Sequence, residues 1–249
     1  MQEDGVLAGG LAGSGQAAYV GRTPLPAGYN TYVDVYRPLA IDPIAFGQPK
    51  VTFTTRVKLV DSTNGHWDNF SWNFYNSANS NLFKIEFDND YYEINHYDST
   101  NGYAFLGYYS AGVEYTLTVT MNFLSNLCNV SLDGVVLTNN MPLALKSTLL
   151  DLSAVSAIWS PLDRANPGNN YMLFDNYQIV SAPLTPQPPQ LKVLTPGGNS
   201  AASLRLTGED GVRFAVDGST NLISWFAVAT NTVSGGTANY TDPTATNKA

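Results

Sequence analysis

The residues best suited to chemistry gather between Lys84 and Tyr97, in the run KIEFDNDYYEINHY. Glu86, Asp88 and Asp90 alternate along an extended stretch, which would set three carboxylates on one face. Paired carboxylates of this kind act as nucleophile and acid in glycoside hydrolysis. The same residues also read as the solvated side of a strand running into an Asn89-Asp90 turn. His66 and His96 are the two histidines of the chain. His96 and Tyr97 would form a proton-transfer pair only if they shared a face, and adjacent strand residues point to opposite faces. A Gly-x-Ser-x-Gly elbow is absent, so nucleophilic serine chemistry has no support. Neither a Cys/His metal spacing nor a glycine-rich phosphate loop occurs.

Rings are more telling than acids. Trp67, Tyr91, Tyr92, Tyr97, Tyr103, Tyr108 and Tyr109 exceed what a core requires, and several fall off the inward phase. Aromatic faces stack on the apolar faces of sugars, while Asn, Asp and Gln fix the hydroxyls. The candidate ligand-binding set is therefore Trp67, Tyr91, Tyr92, His96, Tyr97, Tyr108 and Tyr109. Tyrosine is also simply a good strand residue. Trp72, Trp159 and Trp225 lie in apolar phase and are expected in the core.

The elements that would position these groups are strands. Tyr115, Leu117, Val119, Met121 and Phe123 alternate with Thr116, Thr118, Thr120 and Asn122, one face buried and one wet. A turn at Ser125-Asn126 leads to Cys128, Val130 and Leu132, and Asp133-Gly134 is a two-residue hairpin signal before Val135-Val136-Leu137. These three strands read as a meander in the middle of a two-sheet sandwich. Further strands are predicted at Gln16–Val20, Thr31–Tyr36, Val51–Val60, Phe70–Tyr75, Phe83–Phe87, Tyr91–Tyr97, Tyr103–Tyr109, Leu149–Trp159 and Met172–Val180. No segment carries a 3.6-residue apolar period, so the fold class is all-β, a sandwich or jelly roll of about ten to thirteen strands.

Pro183 to Gln190 (PLTPQPPQ) holds four prolines in eight residues and reads as a stiff spacer. The expected organisation is a sandwich over 1–182, a linker over 183–190 and a small β module over 191–249. The module shows short strands at Leu204–Leu206, Val212–Val216, Ile223–Val228 and Tyr240-Thr241. It stops without a closing apolar strand, as if truncated or completed by another chain.

Only 13% of residues are charged and the net charge is −8, with no basic cluster to neutralise phosphates or anionic lipid. Nucleic acid and membrane insertion are therefore not expected. Cys128, the single cysteine, excludes an intramolecular disulfide and reads as a small buried apolar residue. The Met1-Gln2-Glu3-Asp4 start lacks the basic and apolar regions of a signal peptide, so export implies a signal already removed.

GVEYTLTVTMNFLSNLCNVSLDGVVL and LFDNYQIV resemble the concanavalin A-like (laminin-G-like) jelly-roll modules common in exported bacterial proteins. GSGQAAYVG, DSTNGHWDNFSWNFYN and NPGNNYMLFDNYQI look like segments of an exported group of Verrucomicrobia-type bacteria. RFAVDGSTNLISWFAVATNT and NYTDPTA resemble a small repeat of the same bacteria, in which a further strand usually follows. The resemblance implies secretion or a cell-surface location. It also sets two catalytic templates beside this chain. The retaining β-glucanases of the fold space two Glu around an Asp, a spacing broken here by Asp90 followed by Glu93. The lyases use Arg, Gln-x-His and a Tyr-rich strand, and Gln-x-His is missing. Asp175 matches a position where related sandwiches hold structural Ca2+, with Asp4 and Glu3 as companions.

The leading expectation is a non-catalytic exported protein for carbohydrate binding or surface adhesion, its partner a polysaccharide or cell-surface glycan. The alternatives are a structural protein assembling by β-strand contacts through its C-terminal module, and a glycan-cleaving hydrolase or lyase.

Overall fold

A computed structural model describes residues 4–11, 15–21, 32–98, 102–143, 149–184, 190–194, 202–209 and 211–242. The chain divides into two compact units, Met1–Pro183 and Leu184–Ala249. The prolines of the spacer at 185–189, and Glu3, lie outside the described residues.

Unit 1 contains β1 (Asp4–Ala8), β2 (Gln16–Gly21), β3 (Val33–Ile41), β4 (Lys50–Val60), β5 (Asp68–Tyr75), β6 (Asn81–Asp88), β7 (Glu93–Asp98), β8 (Gly102–Tyr108), β9 (Glu114–Asn122), β10 (Leu127–Leu132), β11 (Val135–Pro142), β12 (Leu152–Pro161) and β13 (Tyr171–Ala182). They form two antiparallel sheets, β1-β2-β13-β4-β9-β10-β11 and β3-β12-β5-β6-β7-β8. The chain crosses repeatedly between the sheets, as in a jelly roll, and the meander β9-β10-β11 closes one end of the first sheet rather than its middle.

Alternation explains the layering. In β4, Val51, Phe53, Val57 and Leu59 are buried, while Lys50, Thr52, Thr54, Arg56 and Lys58 face outward. In β5 and β6 the inward set is Phe70, Trp72 and Phe74 with Phe83, Ile85 and Phe87. Phe53 of the first sheet packs 5.0 Å from Trp72 and 5.2 Å from Phe74 of the second, centroid to centroid. Each such ring, fully withdrawn from water, contributes about 1.5–3 kcal/mol. Asp133 (φ 49°) and Gly134 (φ 77°) make the two-residue turn between Leu132 and Val135. Positive φ at both central residues is what a type I′ hairpin requires.

Unit 2 has a three-stranded sheet of β14 (Gln190–Leu194), β15 (Ala202–Thr207) and β18 (Thr237–Asp242), and a two-stranded ribbon of β16 (Arg213–Gly218) and β17 (Phe226–Thr232). Leu206, Val233 and Ala238 form its small core, with Phe214 and Val216 packed against it. Trp225, expected inside, is 59% exposed. The reason is local: Ile223–Trp225 precede β17 in a loop, and Leu222, Ile223 and Phe226 are exposed beside Trp225.

Candidate functional site

The outward face of the six-stranded sheet carries the site. Its centre comes from β5, where Asn69, Ser71 and Asn73 alternate with the core rings. Register sets Ser71 between Ile158 of β12 and Glu86 of β6, and Asn73 between Ser156 and Lys84. Flanked in this way, Ser71 is only 2% exposed and Asn73 only 7%. Asn73 Nδ2 donates to Tyr75 Oη at 3.1 Å, and Asn69 Nδ2 to Glu86 Oε1 at 3.4 Å. Among the described residues, Asn69 Oδ1, Ser71 Oγ and Asn73 Oδ1 find no hydrogen-bond partner. A buried polar atom left unmet costs about 1–3 kcal/mol, but these three are covered, so a hydroxyl group from outside would meet them only where the side chains above them move aside.

On one side of the floor lie β6, β7 and β8. Lys84 and Glu86 form an ion pair. The Lys84 Nζ stands 5.8 Å from the Tyr97 ring centroid and 5.6 Å from that of Tyr103. Tyr97 and Tyr103 pair across the strands, centroids 5.2 Å apart and edge to face. Partial burial and the nearby Glu86 carboxylate hold the Tyr103 phenol above its ordinary value, with Lys84 opposing them. A bulge between Ile94 and Asn95 makes Leu106 an extra residue on β8, which brings Phe105 and Tyr108 together at 4.9 Å. Tyr103, Phe105 and Tyr108 are all more than half exposed.

On the other side, β3 and the end of β5 border a cleft of about 460 Å³ lined by Tyr32, Asp34, Tyr36, Tyr75, Asn76, Ser77, Asn79 and Ser153. Asp34 Oδ2 accepts from Ser156 Oγ at 2.9 Å. Burial, then the neighbouring Tyr32, Asp34 and Tyr36, raise the Tyr75 phenol, against the Asn73 amide that lowers it. The cleft wall is fixed before any ligand arrives. Asn76 Oδ1 accepts from Ala78 N (3.1 Å) and Ser80 N (2.9 Å), and its Nδ2 donates to Leu149 O at 3.1 Å.

The residues singled out from sequence scatter. Tyr97 and Tyr108 lie on the face just described. Trp67 and Tyr92 instead both donate to Asp61, at 3.0 and 2.9 Å, and tie the Asp61–Trp67 loop to the turn after β6. Tyr91 is exposed in that turn, and Tyr92 has φ 58°, so the strand starts at Glu93 rather than Tyr91. His96 is turned inward, stacked on Phe83 at 4.6 Å, and so points away from Tyr97. Tyr109 is buried and donates to Asn89 Oδ1 at 2.7 Å. Neither of these two offers a ring to the surface.

The carboxylates separate as well. Glu86 and Asp88 share the outward face, but Asp88 Oδ1 caps the backbone N–H of Asp90 (3.0 Å) and Tyr91 (3.3 Å). Asp90 lies in the turn. Asp4 aligns with Val20, and Val20 with Met172, which is three residues along β13 from Asp175 with β2 between. The register thus does not bring Asp4 to Asp175. Among the described residues no group of three His, Cys, Asp or Glu could hold a metal, and no helix is long and apolar enough to cross a membrane.

The floor of Asn69, Ser71 and Asn73 was not singled out from sequence. The available signal was the amide and hydroxyl content of the wet phase of a strand whose other phase holds Phe70, Trp72 and Phe74.

No family model matches the chain. No curated protein matches it either. Solved structures do. A sialidase superposes with a TM-score of 0.52 at 11% identity, over 67% of this chain and 15% of that one. The cellulose induced protein Cip1 gives 0.48 at 10% identity, over 73% and 86%. An alginate lyase of polysaccharide lyase family 7 gives 0.46 at 9% identity, over 68% and 79%. The chain thus spans about 15% of the sialidase's length, and at such identities the likeness is one of fold. Its first unit is an antiparallel β-sandwich of the concanavalin A-like jelly-roll kind, followed by a small β module.

Proposed function

We propose that unit 1 binds a polysaccharide on the outward face of its six-stranded sheet and does not cleave it. The observation that carries this reading is the set of exposed rings Tyr36, Tyr97 and Tyr103 on either side of the polar strand face of Asn69, Ser71 and Asn73. Tyr97, Tyr103 and Tyr36 would offer rings to the sugar faces, and polar groups between them would bond the sugar hydroxyls. Non-catalytic binding is favoured because the acid–base groups are engaged: Glu86 is held by Lys84 and Asn69, and His96 faces the core. Secretion or display at a cell surface would give such a module access to its glycan.

The test is a glycan array probed with the intact chain and with the Tyr97→Ala/Tyr103→Ala double variant. Binding to at least one polysaccharide, lost in the variant, supports the proposal. Binding that the variant leaves unchanged, or release of reducing ends or unsaturated product, overturns it.

A second reading is assembly of copies through unit 2. The loop before β17 exposes Leu222, Ile223 and Trp225. It is held in shape by Ser219 Oγ accepting from Leu222 N (2.8 Å) and Asn221 Oδ1 accepting from Ser224 N (2.8 Å). Light scattering decides it: an oligomer that a Trp225→Ser change dissociates supports assembly, and a monomer at high concentration rules it out.

A further inference from the structure

Charge on the proposed glycan face is one-sided. Asp34, Glu86, Asp88 and Glu93 lie on it by register and alternation, and Lys84, the one cation there among the described residues, is already paired with Glu86. Arg37 of β3 alternates with Asp34 and Tyr36 and so falls to the opposite side of the sheet, while Lys50, Arg56 and Lys58 belong to the other sheet, on β4. A uronate or sialic acid polymer would meet uncompensated carboxylates here.

The cleft beside β3 sharpens this. Three phenols, Tyr32, Tyr36 and Tyr75, line the cleft together with the Asp34 carboxylate, and no basic side chain lines it among the described residues. One Asp34 oxygen is occupied by Ser156 Oγ. Aromatic faces around a carboxylate are what an ammonium group needs: the ring quadrupoles attract it and the carboxylate accepts its N–H. Accepting hydroxyls and amides beside the carboxylate at Ser77, Asn79 and Ser153 fit the sugar that carries the ammonium.

Resting on the polysaccharide-binding reading above, we propose that this cleft holds the ammonium group of an amino sugar, so that the face selects glycans containing free hexosamine units. The amine sits against Asp34 between the tyrosines, and the neighbouring units run over Asn73 and Ser71.

Calorimetric titration of the intact chain tests this with three tetrasaccharides of like size: glucosamine, N-acetylglucosamine and glucose oligomers. The glucosamine oligomer should bind roughly tenfold to a hundredfold more tightly than the other two. Asp34→Asn keeps an oxygen for Ser156 and removes the charge, and it should bring that preference down to about threefold or less. Tyr36→Leu, at an exposed edge position, should weaken glucosamine binding selectively and serves if Asp34→Asn misfolds. An acidic chain attracts any oligocation, so a preference that survives Asp34→Asn and Tyr36→Leu overturns the inference. Equal affinity for all three oligomers overturns it too, while sparing the polysaccharide reading. Binding of none of these three, with binding of other glycans on an array, also overturns the inference alone. Binding of no glycan removes both.

Discussion

Asp68 offers the most demanding check on the structural reasoning. It opens β5 fully buried, and its carboxylate accepts from Trp159 Nε1 at 2.9 Å, Leu162 N at 3.1 Å and the Gly168 backbone. Asp68→Ala strands a core indole N–H and two amides at once. Unmet buried donors cost about 1–3 kcal/mol each, and water reaching the loop amides offsets part, so the net loss is about 3 kcal/mol. For a domain of this size, that lowers the thermal midpoint by about 6–12 °C. Asp68→Asn keeps one acceptor and should lose about 1 kcal/mol. The pH dependence has a definite sign. Burial dominates and raises the Asp68 pKa above 3.8, against the three donors and the His66 charge. A carboxyl whose folded pKa is raised contributes most below its unfolded pKa, and that contribution fades as pH rises through the folded value. The gap between wild type and Asp68→Ala should therefore be widest below about pH 3.8 and narrow above it. Urea unfolding of both proteins across pH 3–7 measures this. A loss under about 1 kcal/mol at every pH, or a gap that widens with pH, would refute the reasoning.

Other outcomes follow from the same structure. Burial pushes the Cys128 thiol far up, so a thiol reagent at pH 8 should react only as fast as the chain unfolds. Rapid labelling of the native protein would contradict this. Gly134→Ala forces a Cβ into φ 77° at the hairpin, which should cost about 1 kcal/mol in urea titration. A neutral or stabilising effect would show that the turn relaxes. Gly168 has no room for a side chain, since a Cβ there would lie 2.6 Å from His66 O. Gly168→Ala should therefore destabilise unit 1 by about 2 kcal/mol, and an unchanged thermal midpoint would argue against the packing of that loop.

Much of the sandwich was legible because its information is local. Alternation in Val51–Val60 and Tyr115–Phe123 assigns an inside and an outside before any partner strand is known. Asp133-Gly134 announces its own turn. The outward direction of Tyr97 against inward His96 follows from the same rule. What was hidden depends on register and on neighbours far away in sequence. Ser71 and Asn73 look like ordinary wet-face residues until Ser156, Ile158, Lys84 and Glu86 close around them. The resemblance to calcium-holding sandwiches suggested Asp4 as a companion of Asp175, yet pairing through β2 sets Asp4 in line with Met172. Tyr109 was expected outside because the Leu106 bulge, which resets the phase of β8, leaves no mark in composition. Trp225 was expected inside, but a two-stranded ribbon has little to cover it.

Polysaccharide binding on the outward face is the central claim, and footprinting tests it most directly. Hydroxyl-radical labelling of the intact chain, with and without a saturating polysaccharide chosen from the array, reads the rings one by one. The account predicts that Tyr36, Tyr97 and Tyr103 lose labelling, while Phe46, exposed in the connection from β3 to β4, and Trp225 in unit 2 label as before. Protection of Trp225 or Phe46 with Tyr97 and Tyr103 unchanged would place the glycan elsewhere and contradict it.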